Sequence, residues 1–265
     1  MLPSASLGIG IVWKGNGLTV NDAFQIIAVA QYWYTHLYNR SLYKSSFEQF
    51  LYDALTKKVV GSIPIQWIDS ADIFLYSGPP CIMILNGVWY SFPISGKITP
   101  ICVSMSWLLD TVEVPIANQL RKLGPIGCRD HHTECVLQLA GVPCYFSGCI
   151  CSIIEQGYYK YLSLFKSTTT ELCDNNTLFT EVFQPISLAY EQLYLMAQNP
   201  TPFRTSNLNV FVAARALGMP VTFIGVKESR NAMLVDKATY EPHLMRVSVL
   251  ATLDAVTHSI PTTQT

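Results

Sequence analysis

The segment Asp130-His131-His132-Thr133-Glu134-Cys135-Val136-Leu137-Gln138-Leu139-Ala140-Gly141 stands between two short apolar runs, Ile101 to Val103 and Pro143 to Phe146, and this order decides the fold class. Asp130 offers a side-chain acceptor to the free amides of a first helical turn, and Glu134 adds negative charge there. Val136, Leu137 and Ala140 recur on one helical face, and Gly141 supplies the stop. The flanking runs are β-rich and bounded by Pro and Gly, the pattern of strands buried on both faces. Strand, helix, strand in succession predicts an α/β fold with a parallel, doubly wound sheet and a ligand near the carboxyl ends of its strands.

Working outward towards the N-terminus, Leu7 to Trp13 reads as a strand. Val20-Asn21-Asp22 reads as a helix start, after which Phe24, Ile27, Ala28, Gln31, Tyr34 and Leu37 keep helical spacing. Phe47 to Leu55 forms a second helix that ends near Lys57-Lys58 and is closed by Gly61. Ile63 to Ile68 and Cys81 to Leu85 are further buried strands.

Towards the C-terminus, Tyr158 to Phe165 is a Tyr-rich helix candidate and the polar stretch 166–177 reads as a linker, so the domain change is placed there. One domain then covers 1–165 and a shorter one 178–258. Tyr190 to Met196 is helical, Asn199-Pro200-Thr201-Pro202 breaks the chain, and Ser206-Asn207 caps a helix from Leu208 to Leu217 that Gly218 ends. Pro220 to Ile224 is a last strand, and 259–265 is a polar tail.

Composition narrows the function classes. Half of the 265 residues are hydrophobic, 13% are charged, 12% are aromatic and the formal charge is −1. A surface so poor in charge and rich in Tyr suits protein partners or a homo-oligomer. Without a cluster of Lys or Arg longer than Lys57-Lys58, nucleic acid is not an expected partner. The start Met1-Leu2-Pro3-Ser4-Ala5-Ser6 lacks the basic head and apolar stretch of a secretory signal, so a cytoplasmic location is expected and the glycan-acceptor strings at Asn39 and Asn175 read as chance. The apolar windows Ile82 to Tyr90 and Leu208 to Ile224 break before the roughly 20 residues of a bilayer span. The eight cysteines sit mostly in apolar runs and read as reduced core thiols. Cys149 and Cys151, one residue apart, would point to opposite sides of a strand, no second pair follows at zinc spacing, and the five His are scattered. No metal site is expected.

Gly127-Cys128-Arg129-Asp130 puts an Arg where a strand hands over to a helix N-terminus. Its guanidinium and the free amides there could hold a phosphate or carboxylate. The same spacing also suits an Arg129 paired with a neighbouring Asp. Ser147-Gly148 ends the next strand and offers a hydroxyl with close backbone approach, or simply a turn.

Three stretches resemble the polysaccharide pyruvyl transferase family. The first is Ile84-Leu85-Asn86-Gly87-Val88-Trp89-Tyr90 with Lys97 to Ser104. The second and most specific is Gly124-Pro125-Ile126-Gly127-Cys128-Arg129-Asp130 with Thr133 and Tyr145-Phe146-Ser147-Gly148-Cys149. The third is Thr205-Ser206-Asn207-Leu208-Asn209-Val210 with Ala214, Ala216-Leu217-Gly218 and Pro220 to Phe223. Asn16 and Asn21-Asp22 resemble the family's N-terminal Asn-Gly-Asp turn. The resemblance implies two Rossmann-like halves facing a cleft, as in GT-B glycosyltransferases, the second half shortened here. It also implies transfer of pyruvyl from phosphoenolpyruvate, a donor substrate and not a cofactor, to a sugar or glycan acceptor. By the same resemblance Arg129, Ser147, Gly148, Ser206, Asn207 and Asn209 would surround the donor.

That chemistry needs positive charge for a phosphate and a carboxylate, a proton donor and a base. The family's Arg and His positions are occupied by Asn207 and Asn209, which carry no charge and do not titrate near neutrality. Arg204, His131 and His132 are the candidate substitutes. However, an Arg after a Pro-rich turn is ordinarily solvated, and adjacent His in a first helical turn are ordinarily surface residues. Two readings follow: a diverged transferase, or a catalytically degenerate homologue kept as a binding or structural subunit.

Overall fold

The computed structural model describes residues 8–13, 18–88, 92–165, 177–225 and 229–257. The tail 259–265 and, apart from Thr177, the expected linker lie outside them, as do Leu7, Asn16 and Cys173.

The first strand, β1 (Gly8–Trp13), is an uninterrupted apolar run with all but Val12 buried, and it takes a central place in the sheet. It runs parallel to β3 (Ile63–Asp69) on one side and β4 (Cys81–Val88) on the other, Ile9 pairing in register with Ile65 and Ile82. Beyond β4 the sheet continues with β5 (Ile98–Ser106), β6 (Ile126–Cys128) and β7 (Cys144–Phe146), all parallel. The short β2 (Val59–Val60) adds antiparallel to the outer edge of β3. Among the described residues the order is therefore β2-β3-β1-β4-β5-β6-β7, a mainly parallel seven-stranded sheet of Rossmann-like α/β type. Growth of the sheet reverses between β1 and β4, so the chain leaves their carboxyl ends in opposite directions and opens a crevice.

Helices cover both faces. Helix α1 (Val20–Asn39) begins at Thr19, whose hydroxyl accepts from the Asp22 amide while the Asp22 carboxylate accepts from the Thr19 amide. This reciprocal cap satisfies two amides that the first turn leaves over. Helix α2 (Phe47–Thr56) is capped by Ser46. On the opposite face α3 (Val114–Lys122) and α4 (His131–Leu139) close a separate apolar cluster of Met83, Cys102, Leu120, Ile126 and Leu137.

The C-terminal part returns to the α1 face. Helix α5 (Thr177–Gln198) lies along α1. The unit β8 (Phe203–Thr205), α6 (Leu208–Ala216) and β9 (Val221–Phe223) forms a parallel pair in which Arg204 registers with Thr222. After α7 (Ser229–Tyr240), helix α8 (Pro242–Thr257) packs on β5. This second layer explains why α1 is buried without a break from Ala23 to Tyr34: the sheet lies beneath it and the C-terminal helices above. One apolar cluster runs from Ile9 through Phe24, Tyr159 and Phe211 to Leu253.

Several local expectations are corrected. Tyr158 to Phe165 is not one helix but a 3-10 turn at Gln156–Tyr158, an irregular stretch, and helical backbone only from 163 to 165. The carbonyls that would build it are taken by side chains: Gln198 Nε2 donates to Tyr159 O at 3.0 Å and Tyr190 Oη to Tyr161 O at 3.2 Å. Cys149 and Cys151 do not alternate on a strand. Cys149 caps, and Cys151 lies within, a 3-10 turn at Ile150–Ile153. The helix expected at Tyr190 to Met196 extends back to Thr177 through Pro185, and the strand expected at Ile101 to Val103 spans Ile98–Ser106.

Candidate functional site

A crevice of about 440 Å³ opens at the reversal point, lined by Trp13 from β1, Asn86 and Gly87 from β4, Arg129, and Asn207 and Asn209 at the start of α6. Asn21, Asp22 and Gln25 close it from α1. Two helix N-termini thus border the same space.

Arg129 sits between β6 and α4, and its backbone amide donates to Met105 O at 2.7 Å. The neighbouring Asp130 is not its partner. That carboxylate accepts from the Thr133 amide and hydroxyl at 2.8 Å each and from the Ser106 hydroxyl at 2.7 Å, so it is consumed in capping α4. Arg129 Nη2 donates instead to Asn209 Oδ1 at 2.7 Å, and its buried Nε has no hydrogen-bond partner. A partly buried guanidinium held by a neutral carboxamide meets no carboxylate in its hydrogen bonds and keeps a donor unpaired.

The α6 start is shaped by carboxamides. Asn207 caps the helix by accepting from the amides of Asn209 and Val210, and its own Nδ2 donates to Asn21 Oδ1. Asn209 is buried and donates through Nδ2 to the Asn21 carbonyl at 2.8 Å. Arg129, Asn207 and Asn209 therefore meet at one place with α1.

The remaining nominated residues lie elsewhere. Ser147 is fully buried behind the crevice, accepting from the Ser104 amide at 3.0 Å and donating to Cys128 O at 3.1 Å. Gly148 has φ +80, and its carbonyl accepts from the Ser104 hydroxyl at 2.6 Å. Ser206 and Arg204 are exposed and neither lines the crevice. His131 pairs with Glu134 at 3.4 Å and His132 faces Asp110 at 3.8 Å, both outside it.

Sequence reasoning passed over Gln25 and Trp13. The available signal for Gln25 was a lone amide within the apolar run Ala23-Phe24-Gln25-Ile26-Ile27. Cys149 and Cys151, read from sequence only as core thiols, are both fully buried and feel the Arg129 charge. A hydrogen bond from Cys151, opposed by burial and aided by the Arg129 guanidinium, brings Cys149 down to about 6. Burial pushes Cys151 well up. Elsewhere burial alone raises Cys102 to about 12.

Among the described residues the seven cysteines are free, no group of three or more His, Cys, Asp or Glu is placed to hold a metal ion, and no helix is long and apolar enough to cross a membrane. A second cavity of about 360 Å³ between α1 and α8 contains none of the nominated residues, and its Arg246 and Glu155 pair with one another. Comparison of the chain with protein-family models, with curated proteins and with solved structures found no match.

Proposed function

We propose that the chain binds a small anionic ligand in the crevice without turning it over, as a degenerate relative of the pyruvyl transferases. The β8-α6-β9 unit would then be the remnant of a second Rossmann-like half facing the first, as in GT-B enzymes. The observation that carries this reading is the setting of Arg129: a cation at the carboxyl end of the sheet, with a free Nε and a neutral partner. A structural arginine in such a place ordinarily meets a carboxylate.

The lining also argues against turnover. Among the described lining residues only Asp22 and Arg129 ionise, and the Asp22 carboxylate is tied to the Thr19 amide and hydroxyl. Protonating a methylene carbon and activating a hydroxyl require an acid and a base that this set does not supply.

Calorimetric titration with phosphoenolpyruvate and inorganic phosphate, alongside a phosphate-release assay with a mixed sugar panel, tests the proposal. The expected result is weak anion binding that Arg129→Met abolishes, with no phosphate release. Absence of any anion binding would remove the reading. Steady phosphate release would replace it with the transferase.

A further inference from the structure

Resting on the anion-binding reading, we infer that the crevice selects an anion that also carries hydroxyl groups, a sugar acid or sugar phosphate rather than a bare phosphate or enol ether, and that Gln25 reads the hydroxyl. The geometry begins with Gln25 itself. It is only 8% exposed, it lines the crevice, and its Oε1 accepts no hydrogen bond. A carbonyl oxygen withdrawn from water and left without a donor costs about 1–3 kcal/mol, so a ligand that supplies the donor recovers that cost on binding.

The surroundings fit the same ligand. A Cβ placed on Gly87 would lie 3.4 Å from Gln25 Oε1, so the amide faces a residue with no side chain to fill the space. Gly87 has φ +74 and follows an irregularity in the β4–β5 register, after which it pairs with Met105 of β5. Next to it Asn86 lines the crevice, and its carboxamide makes no hydrogen bond among the described residues. Two uncommitted carboxamides beside one guanidinium make an acceptor-and-donor set for neighbouring hydroxyls next to a single negative charge. Phosphoenolpyruvate carries the charge but has no hydroxyl donor, and glucose has the donors but no charge. The crevice volume of about 440 Å³ admits a monosaccharide with its acidic group.

The test compares four probes by calorimetry: glucuronate, glucose 6-phosphate, phosphoenolpyruvate and glucose. Wild-type protein should bind glucuronate or glucose 6-phosphate at least tenfold more tightly than phosphoenolpyruvate, and which of the two prevails identifies the acid. Gln25→Met, close in shape, should erase that margin while leaving phosphoenolpyruvate affinity within twofold. Gln25→Glu keeps an acceptor and should retain the hydroxyl preference while weakening every anion, which guards against a folding defect in the Met variant. Equal binding of phosphoenolpyruvate and the hydroxylated acids, or a Gln25→Met variant that weakens all probes alike, would overturn the inference yet leave the anion site standing. Failure of every anion would overturn both.

Discussion

Arg129 Nη2 and Asn209 Oδ1 meet at 2.7 Å across eighty residues of sequence, joining the β6–α4 junction to the start of α6. The hydrogen-bond partner is neutral, so the contact fixes the guanidinium without a carboxylate and leaves its Nε unpaired. Asn209→Asp would place a carboxylate against the guanidinium and occupy the charge internally. The new pair should approximately offset the loss of the Asn209 bond to the Asn21 carbonyl. The expected outcome is therefore at least a tenfold fall in phosphate affinity with little change in thermal midpoint. Unchanged affinity would mean that Arg129 does not hold the ligand.

Placing here the charges that the resemblance to the pyruvyl transferases implies tests descent. In Asn209→His the imidazole can still face Arg129, and Asn207→Arg adds a second guanidinium at a helix start already favourable to anions. The double variant should bind phosphoenolpyruvate about tenfold more tightly, a gain of ~1.4 kcal/mol. It should also lose stability, because Asn207 is the cap of α6, and replacing such a cap costs about 1 kcal/mol. Adding Arg129→Ala should erase the gain. If the double variant binds no better than wild type, or if Arg129→Ala leaves its affinity intact, the crevice is not an inherited donor site.

The thiol pair behind Arg129 predicts a pH dependence. Cys149 ionises near about 6 in the native protein against 9.0 in its ordinary range, so between these values the unfolded chain holds the extra proton. Stability should rise as pH climbs from about 6 towards 9 and be lost as pH falls through about 6. Cys151, pushed upward by burial, opposes this only above its own unfolded value of 9.0. Urea unfolding across the range should show the slope in wild type and lose it in Cys149→Ser. Cys151→Ala should flatten it more than Arg129→Met, because the thiol–thiol hydrogen bond is the larger cause. A wild-type slope equal to that of Cys149→Ser would contradict the ionised thiol.

The fold was legible where one side of the chain meets one kind of neighbour. Strands buried on both faces, such as Gly8–Trp13 and Cys81–Val88, appear as mostly apolar runs, and Asp130 announces α4 because its carboxylate does cap it. Tyr158 to Phe165 misled because its aromatic spacing serves a cluster with Tyr34, Phe47 and Tyr190, and distant side chains take its carbonyls. No local pattern encodes such partners. The crevice was half legible. Arg129 and the two Asn stand in motifs, whereas Gln25 reaches the same space only because α1 crosses the ends of β1 and β4. Ser147, nominated for its hydroxyl, was legible as a strand end but not as a buried hinge of hydrogen bonds.

Ser147 and Gly148 should prove structural, and the measurement that shows it separates stability from affinity. Ser147→Ala leaves the Ser104 amide, now bonded at 3.0 Å, without an acceptor in a fully buried place, at a cost of about 1–3 kcal/mol. Gly148→Ala forces a side chain into a left-handed backbone at φ +80, and its Cβ would lie 2.4 Å from Met245 Cγ, so the Met245 side chain on α8 must move as well. Backbone strain of this kind adds about 1–3 kcal/mol before the displacement of Met245. Both variants should therefore melt earlier and unfold at lower urea. Neither residue lines the crevice, so the anion affinity of the folded fraction should stay within about twofold of wild type, a change of ~0.4 kcal/mol or less. Gly148→Ala should be the more damaging of the two, because it disturbs the packing of α8 on the sheet as well as its own backbone. A Ser147→Ala protein of normal stability that no longer binds phosphate would reverse the assignment and move the ligand from the mouth of the crevice to the end of β7.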